Sequence, residues 1–97
     1  MEEIRKAIEL CGKIIFSYNG IIDLELEELN RLYDLKKGND YALNSENVEM
    51  NESAKKLMVI RGKNIENQIG VGENKIKRFQ NHIKYHGKEI ERYISKI

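Results

Sequence analysis

The stretch RGKNIENQIGVGENKIKRFQNHIKYHGKEIERYISKI, residues 61–97, carries the strongest periodic pattern in the chain. Five isoleucines recur in it at intervals of seven: Ile69, Ile76, Ile83, Ile90 and Ile97. Positions intermediate between them hold Phe79, His86 and Tyr93. Spacings of three and four place side chains on one side of an α-helix, so a helix continuing through this stretch presents a seam like that of a coiled coil. Such a seam suits a dimer or a helical bundle.

Glycines interrupt the same stretch and support a second interpretation. The segment Gly70-Val71-Gly72 can end one helix and start another, because glycine tolerates the positive φ of a helix end. Gly87 can likewise end a helix, or lie within one at a cost of about 1 kcal/mol relative to alanine. The sequence leaves both interpretations open.

Read as helix, turn and helix, this region resembles the helix-turn-helix of DNA-binding regulators over residues 61–86. The apolar and glycine positions that carry the resemblance are Ile65, Ile69, Gly70, Val71, Ile76 and Phe79. Glu66 and Gly72 depart from the family pattern, which usually has a small residue and a capping Ser or Thr at these places. The resemblance implies that the helix beginning near Glu73 enters the major groove of double-stranded DNA.

Polar side chains cluster on the side of this helix opposite the isoleucines. Lys and Arg bind phosphates, and Asn and Arg also read adenine and guanine edges. The resemblance therefore implies a nucleic-acid-binding set made of Asn74, Lys77, Arg78, Asn81, Lys84 and Tyr85. The alternative is that these side chains form a solvated face of an amphipathic helix with no ligand.

The N-terminal half is predicted to form a helical hairpin over residues 1–38. Apolar residues spaced three and four apart predict a helix from Glu2 to Tyr18, which ends at Asn19-Gly20. Asp23 then caps a second helix from Leu24 to Lys37. Asn19-Gly20 also suits a two-residue β-turn, so a β-hairpin over residues 14–26 is the competing interpretation.

Three leucines of the second helix lie off its main apolar stripe and imply a further packing surface: Leu24, Leu32 and Leu35. This surface contacts either the C-terminal half or another copy of the chain. Residues 39–50 are polar and are interpreted as a connector. Beyond them a helix is predicted to begin near Asn51 to Ser53 and to end near Arg61-Gly62.

Composition and charge support one all-α domain over residues 1–97. The chain contains no proline, which favours long helices. Residues 1–50 carry 11 acidic and 6 basic side chains, a net charge of −5, whereas residues 51–97 carry 5 acidic and 11 basic ones, a net charge of +6. We expect a small bundle in which an acidic N-terminal hairpin packs on a basic C-terminal unit. The split points to an anionic partner of the basic half or to attraction between the halves.

Other chemistry is sparse. Cys11 is a lone cysteine on an apolar stripe, which excludes an internal disulfide and indicates an inert thiol. His82, His86 and Glu89 share one side of a helix, but no further ligand accompanies them, and we expect packed residues and no metal. The sequence shows no secretory signal or membrane-spanning stretch, which indicates a cytoplasmic protein. We expect no enzymatic activity and no cofactor.

The leading functional hypothesis is a small DNA-binding transcription regulator of the type that phages and mobile elements encode. It uses the basic helix at residues 73–86 and acts as a homo-oligomer. The alternative is a helical, self-associating interaction protein that binds and inhibits a protein partner or an anionic ligand.

Overall fold

The computed structural model describes residues 1–45 and 51–97, which form two long α-helices. Helix α1 extends from Glu2 to Asn44 and helix α2 from Glu52 to Ile94, each with 43 residues. Neither described range contains a strand. The predicted all-α class is therefore confirmed, and the acidic N-terminal helix packs against the basic C-terminal helix.

The predicted beginning of the C-terminal helical region is also confirmed. The side-chain Oδ1 of Asn51 accepts a hydrogen bond of 2.8 Å from the backbone N–H of Ala54, three residues later. This bond satisfies one of the first N–H groups of α2, which have no carbonyl partner within the helix. Asn51 is thus the N-cap of α2.

The helix breaks predicted in the N-terminal half are wrong. Helix α1 continues through Asn19-Gly20, so Asp23 lies within a helix and residues 14–26 form no β-hairpin. It also continues through Gly38 into the predicted connector as far as Asn44. The rest of that connector includes residues 46–50, which lie outside the described residues. The helical hairpin is formed by α1 with α2, not within residues 1–38.

The breaks predicted near Gly62 and at Gly70-Val71-Gly72 are also wrong, and of the two interpretations left open at Gly87 the continuous helix is the observed one. Helix α2 continues through Gly62, through Gly70-Val71-Gly72 and through Gly87, and no glycine of the described residues has a positive φ. A glycine inside a helix costs about 1 kcal/mol relative to alanine. That cost is local, whereas the apolar seam on either side stabilises both helices over their length.

One line of residues along each helix is shielded from solvent, with alternating spacings of four and three. In α1 this line, the α1 seam, consists of Ile4, Ile8, Cys11, Ile15, Tyr18, Ile22, Glu25, Leu29, Leu32, Lys36, Asn39 and Leu43. In α2 the corresponding α2 seam consists of Met58, Gly62, Ile65, Ile69, Gly72, Ile76, Phe79, Ile83, His86, Ile90 and Tyr93. Four of the five isoleucines predicted at intervals of seven, from Ile69 to Ile90, therefore belong to the contact between the helices, whereas Ile97 lies beyond the end of α2 and is 67% exposed.

The structure divides into two compact units, each made of one segment of α1 and one of α2. Unit 1 comprises Met1–Glu25 and Asn74–Ile97. Unit 2 comprises Leu26–Glu73. Within each unit the two helix segments run antiparallel, because higher residue numbers in α1 contact lower residue numbers in α2.

Aromatic side chains of the two helices contact each other in unit 1. The ring of Tyr18 lies over that of His82, with centroids 5.2 Å apart and planes 5° from parallel. The rings of Phe79 and His86 lie 5.7 and 6.4 Å from the same tyrosine. Further along the unit, the ammonium of Lys75 is 3.9 Å from the carboxylate of Glu25. Tyr18 thus packs against three rings of α2.

Leucine and isoleucine form the apolar part of unit 2. Leu29 and Leu32 of α1 are each 4% exposed, and Ile65 of α2 is 6% exposed. Leu32, which the sequence placed off the main stripe, therefore belongs to the core.

Candidate interaction surfaces

Helix α2 presents a basic outer face in unit 1. All six residues predicted to bind nucleic acid are exposed. Their spacing places them on one side of the helix: Asn74, Lys77, Arg78, Asn81, Lys84 and Tyr85. Within the described residues, none of their side chains makes a hydrogen bond or an ion pair to another side chain. The predicted set is thus brought together on one accessible surface.

The helix that carries this face is not a separate recognition helix. A helix-turn-helix requires a turn at Gly70-Val71-Gly72, but this segment is helical. Val71, expected to fill the corner between two helices, is 56% exposed, and Gly72 is buried in the α2 seam. The predicted turn is therefore wrong, and the basic residues lie on the outer side of a continuous helix.

The two histidines of α2 are used in packing. His82 and His86 both lie against Tyr18, and Tyr85 contacts His86 edge to face at 5.2 Å. Glu89 accepts a hydrogen bond of 2.7 Å from Arg92, and this bond raises the pKa of the Arg92 guanidinium. No group of three potential metal ligands occurs within residues 1–45 and 51–97.

Helix α1 carries a second apolar line in unit 1, outside its seam. It consists of Leu10, Ile14, Ser17, Ile21 and Leu24, at spacings of four and three, and we call it the α1 ribbon. Leu10 is 59% exposed, Ile21 40% and Leu24 67%. A shallow groove beside Tyr18 is lined by Ile14, Ser17 and Ile21. The ribbon is thus an accessible apolar strip on one side of a helix.

Only part of this ribbon was predicted from the sequence. Leu24 was placed off the main stripe but was not grouped with Leu10 and Ile21. The sequence nevertheless contains the pattern, because each ribbon residue comes directly before a residue of the α1 seam. The ribbon positions are 10, 14, 17, 21 and 24, and the seam positions are 11, 15, 18, 22 and 25. Two adjacent seams on one helix indicate that it can pack against two helices.

Unit 2 contains a polar layer between its helices. Asn39 is 5% exposed, and its Nδ2 donates a hydrogen bond of 3.0 Å to the backbone carbonyl of Met58. A Cβ at Gly62 would lie 2.9 Å from that Nδ2, so the absence of a side chain there makes room for the amide. The Oδ1 of Asn39 has no hydrogen-bond partner among the described residues. The layer fits because an asparagine faces a glycine.

Ion pairs flank this polar layer. The ammonium of Lys36 donates a hydrogen bond of 2.6 Å to Asp40 and lies 3.2 Å from the carboxylate of Glu66. The two carboxylates, Asp40 more than Glu66, raise the pKa of Lys36 above its ordinary value. Tyr33 donates a hydrogen bond of 2.6 Å to Glu73, and this bond raises the pKa of the phenol.

The chain matches no protein-family model, no curated protein and no solved structure. In the described residues neither helix has a segment apolar enough to cross a lipid bilayer. Unit 1 thus presents two accessible surfaces that could bind a partner, the α1 ribbon and the basic face of α2.

Proposed function

We propose that this chain is a helical interaction protein that works by packing the α1 ribbon against a helix of another protein molecule. The observation that carries the proposal is the exposure of regularly spaced apolar side chains on α1, with Leu10 59% and Leu24 67% exposed. Single exposed apolar residues are ordinary on protein surfaces, but an aligned row marks a contact surface.

The small core of the two-helix arrangement supports this proposal. Six apolar residues are buried within residues 1–45 and 51–97, and no side chain there is fully buried. Burial of a leucine side chain contributes roughly 1.5 to 3 kcal/mol. Covering the α1 ribbon with a partner helix would therefore stabilise the folded chain by a free energy comparable to that contributed by several core residues.

The test is recovery of a complex from the organism that makes the chain, with two matched variants. In the first, Leu10→Glu and Leu24→Glu together place charges on the ribbon. In the second, Phe16→Glu places a charge on α1 away from the ribbon, at a side chain that is 80% exposed. Chemical cross-linking of the tagged chain in cells, followed by nuclease treatment, should give one stoichiometric protein complex.

The expected result is that the complex survives Phe16→Glu and is lost with the ribbon variant. This complex includes either copies of the chain or a different protein that the chain inhibits by occupying its surface. If neither kind of protein complex depends on the ribbon, the proposal is wrong. Recovery of nucleic acid alone would also contradict it.

A second candidate function is binding of double-stranded DNA through the basic face of α2. It is supported by the exposure of all six residues from Asn74 to Tyr85 on one side of the helix and by a net charge of +5 for residues 74–97, from 7 basic and 2 acidic side chains. Without a helix-turn-helix turn, contact with phosphates is the main source of affinity.

Phosphate contact makes a measurable prediction. Affinity for a fluorescent duplex should fall steeply between about 50 and 200 mM salt, and Lys77→Ala with Lys84→Ala should reduce the salt dependence by about one charge per lysine removed. Lys55→Ala with Lys56→Ala, in unit 2, is the matched control. Absence of binding to any duplex at low salt would exclude this candidate.

A further inference from the structure

The α1 ribbon has the spacing of a helix-packing seam, which restricts what can cover it. Alternating steps of four and three form a narrow strip of knobs that fits the holes of another α-helix and gives no match to an extended strand. Its ends are Leu10 and Leu24, and both are more than half exposed. The occupant is therefore a helix of at least four turns.

The order of residues in the ribbon is symmetric. Starting from Ser17, each direction leads first to an isoleucine and then to a leucine: Leu10, Ile14, Ser17, Ile21 and Leu24. A two-fold interface requires a surface that matches itself after rotation. A two-fold axis near Ser17 would place Leu10 of one copy beside Leu24 of the other, with the small serine where the helices approach most closely.

Charge is compatible with the same occupant. In unit 1 the α2 segment, residues 74–97, has a net charge of +5, from 7 basic and 2 acidic side chains. The α1 segment, residues 1–25, carries 5 acidic and 3 basic side chains, a net charge of −2. Each α1 segment lies beside the oppositely charged α2 segment of its own copy, so the repulsion between two α1 segments with a net charge of −2 is small. A second copy of residues 1–25 therefore brings a matching apolar strip without a large like charge.

We propose that the partner is a second copy of this chain, whose α1 residues 10–24 pack antiparallel against the same residues of the first copy. The two unit 1 segments then form a four-helix core, in which the α1 ribbons of both copies are buried against each other. This inference rests on the proposed function, since it names the molecule that occupies the ribbon.

The first experiment measures the mass of the purified chain by sedimentation equilibrium across a broad range of concentrations. The expected mass is twice 11.4 kDa for the chain and for Phe16→Glu, and 11.4 kDa for Leu10→Glu with Leu24→Glu. Circular dichroism checks that the ribbon variant keeps its helix content. If the ribbon variant is unfolded, Leu10→Ser with Leu24→Ser is used in its place, because it removes the apolar side chains without adding charge.

The second experiment tests the orientation by disulfide cross-linking in a Cys11→Ala background. Ser17→Cys should give a covalent dimer on mild oxidation, and a mixture of Leu10→Cys and Leu24→Cys chains should give the mixed dimer in preference to either homodimer. Efficient Leu10→Cys homodimers would indicate parallel pairing and overturn the proposal.

The outcomes separate this inference from the proposed function. A mass of 11.4 kDa for the unmodified chain at every concentration, or a dimer unaffected by the ribbon variant, overturns the second-copy proposal. The proposed function would survive if the cross-linked cellular complex still required the ribbon. If neither the purified dimer nor the cellular complex depended on the ribbon, both the second-copy proposal and the proposed function would be excluded.

Discussion

Units 1 and 2 contain the same two helices, yet different chemistry joins the helices in each. In unit 1, the ring of Tyr18 packs against three rings of α2 at centroid distances of 5.2 to 6.4 Å. In unit 2, the amide of Asn39 occupies the space left by Gly62, with Lys36 between two carboxylates. Aromatic contacts supply apolar area and tolerate small displacements, whereas a buried amide opposite a glycine fits one alignment.

This difference suggests a division of roles between the units. The aromatic contacts of unit 1 contribute mainly to the free energy of unfolding. The polar layer of unit 2 contributes mainly to the register of α1 against α2, because a shift of α2 by one heptad would place the Asn39 amide against Ile69 instead of Gly62. Substitutions in the two units should therefore have different effects.

The largest effect is expected from removing the ring of Tyr18. Tyr18→Ala should lower the free energy of unfolding by about 2 kcal/mol, because the ring is only partly shielded but contacts three others. Tyr18→Phe keeps the ring and should change the stability by less than about 0.5 kcal/mol. Urea denaturation followed by circular dichroism measures both values.

Tyr41→Ala is the matched control, since Tyr41 is 76% exposed. Surface substitutions of this kind usually change stability by about 0.5 kcal/mol or less. Equal losses for Tyr18→Ala and Tyr41→Ala would contradict the assignment of the aromatic contacts as the main stabilising feature of unit 1.

An intermediate effect is expected from adding one methyl group at two glycines. Gly12 has nothing within 4 Å of a Cβ, so Gly12→Ala should raise stability by about 0.5 to 1 kcal/mol through helix propensity alone. Gly62→Ala gains the same propensity but displaces the Asn39 amide, whose Nδ2 is 2.9 Å from the new atom. We expect it to be less stable than Gly12→Ala by about 1 to 2 kcal/mol.

The double variant Gly62→Ala with Asn39→Ala separates the steric explanation from others. Removing the amide should recover most of the difference, because nothing then opposes the added methyl group. If Gly62→Ala and Gly12→Ala are equally stabilising in thermal denaturation, a methyl group beside the Asn39 amide has no steric cost. The fit between Asn39 and Gly62 then does not set the register.

The smallest effect concerns the hydrogen bond from Tyr33 to Glu73. The carboxylate accepts this bond from the protonated phenol, which raises the pKa of Tyr33 above its ordinary value of 10.0. A raised pKa in the folded state means that the contribution to stability is present below pH 10 and is lost as the pH rises through the folded pKa.

Carbon-13 NMR of the tyrosine Cζ atoms measures this titration directly. Glu73→Gln should lower the pKa of Tyr33, whereas Glu66→Gln, which removes a carboxylate of unit 2 that pairs with Lys36, should leave it unchanged. An unchanged titration in Glu73→Gln would show that the hydrogen bond does not form in solution.

Much of the fold followed from local patterns. Steps of three and four along both halves, together with the absence of proline, were sufficient to predict helices, and the capping residues near Asn51 to Ser53 predicted where α2 begins. The isoleucine heptad also indicated its own role as a seam. The six residues from Asn74 to Tyr85 were correctly placed on one exposed side, because the 100° step of a helix determines which side chains share a face.

The glycines were interpreted wrongly because their effect depends on contacts distant in sequence. Glycine at positions 20, 38, 62 and 70 satisfies local rules for ending a helix. Those rules compare one residue with its neighbours, whereas the continuity of α1 and α2 depends on the summed packing of two 43-residue helices. The predicted helix-turn-helix turn failed for this reason.

By itself, the amino-acid sequence determined that the chain is helical, which residues share each helical face, and that the halves carry opposite charge. Only the tertiary structure decided that the helices run through their glycines, that Asn39 meets Gly62, and that Leu32 is buried while Leu24 is exposed. The physical reason is that periodicity defines the faces of a helix, but burial and register depend on the other helix that each face meets.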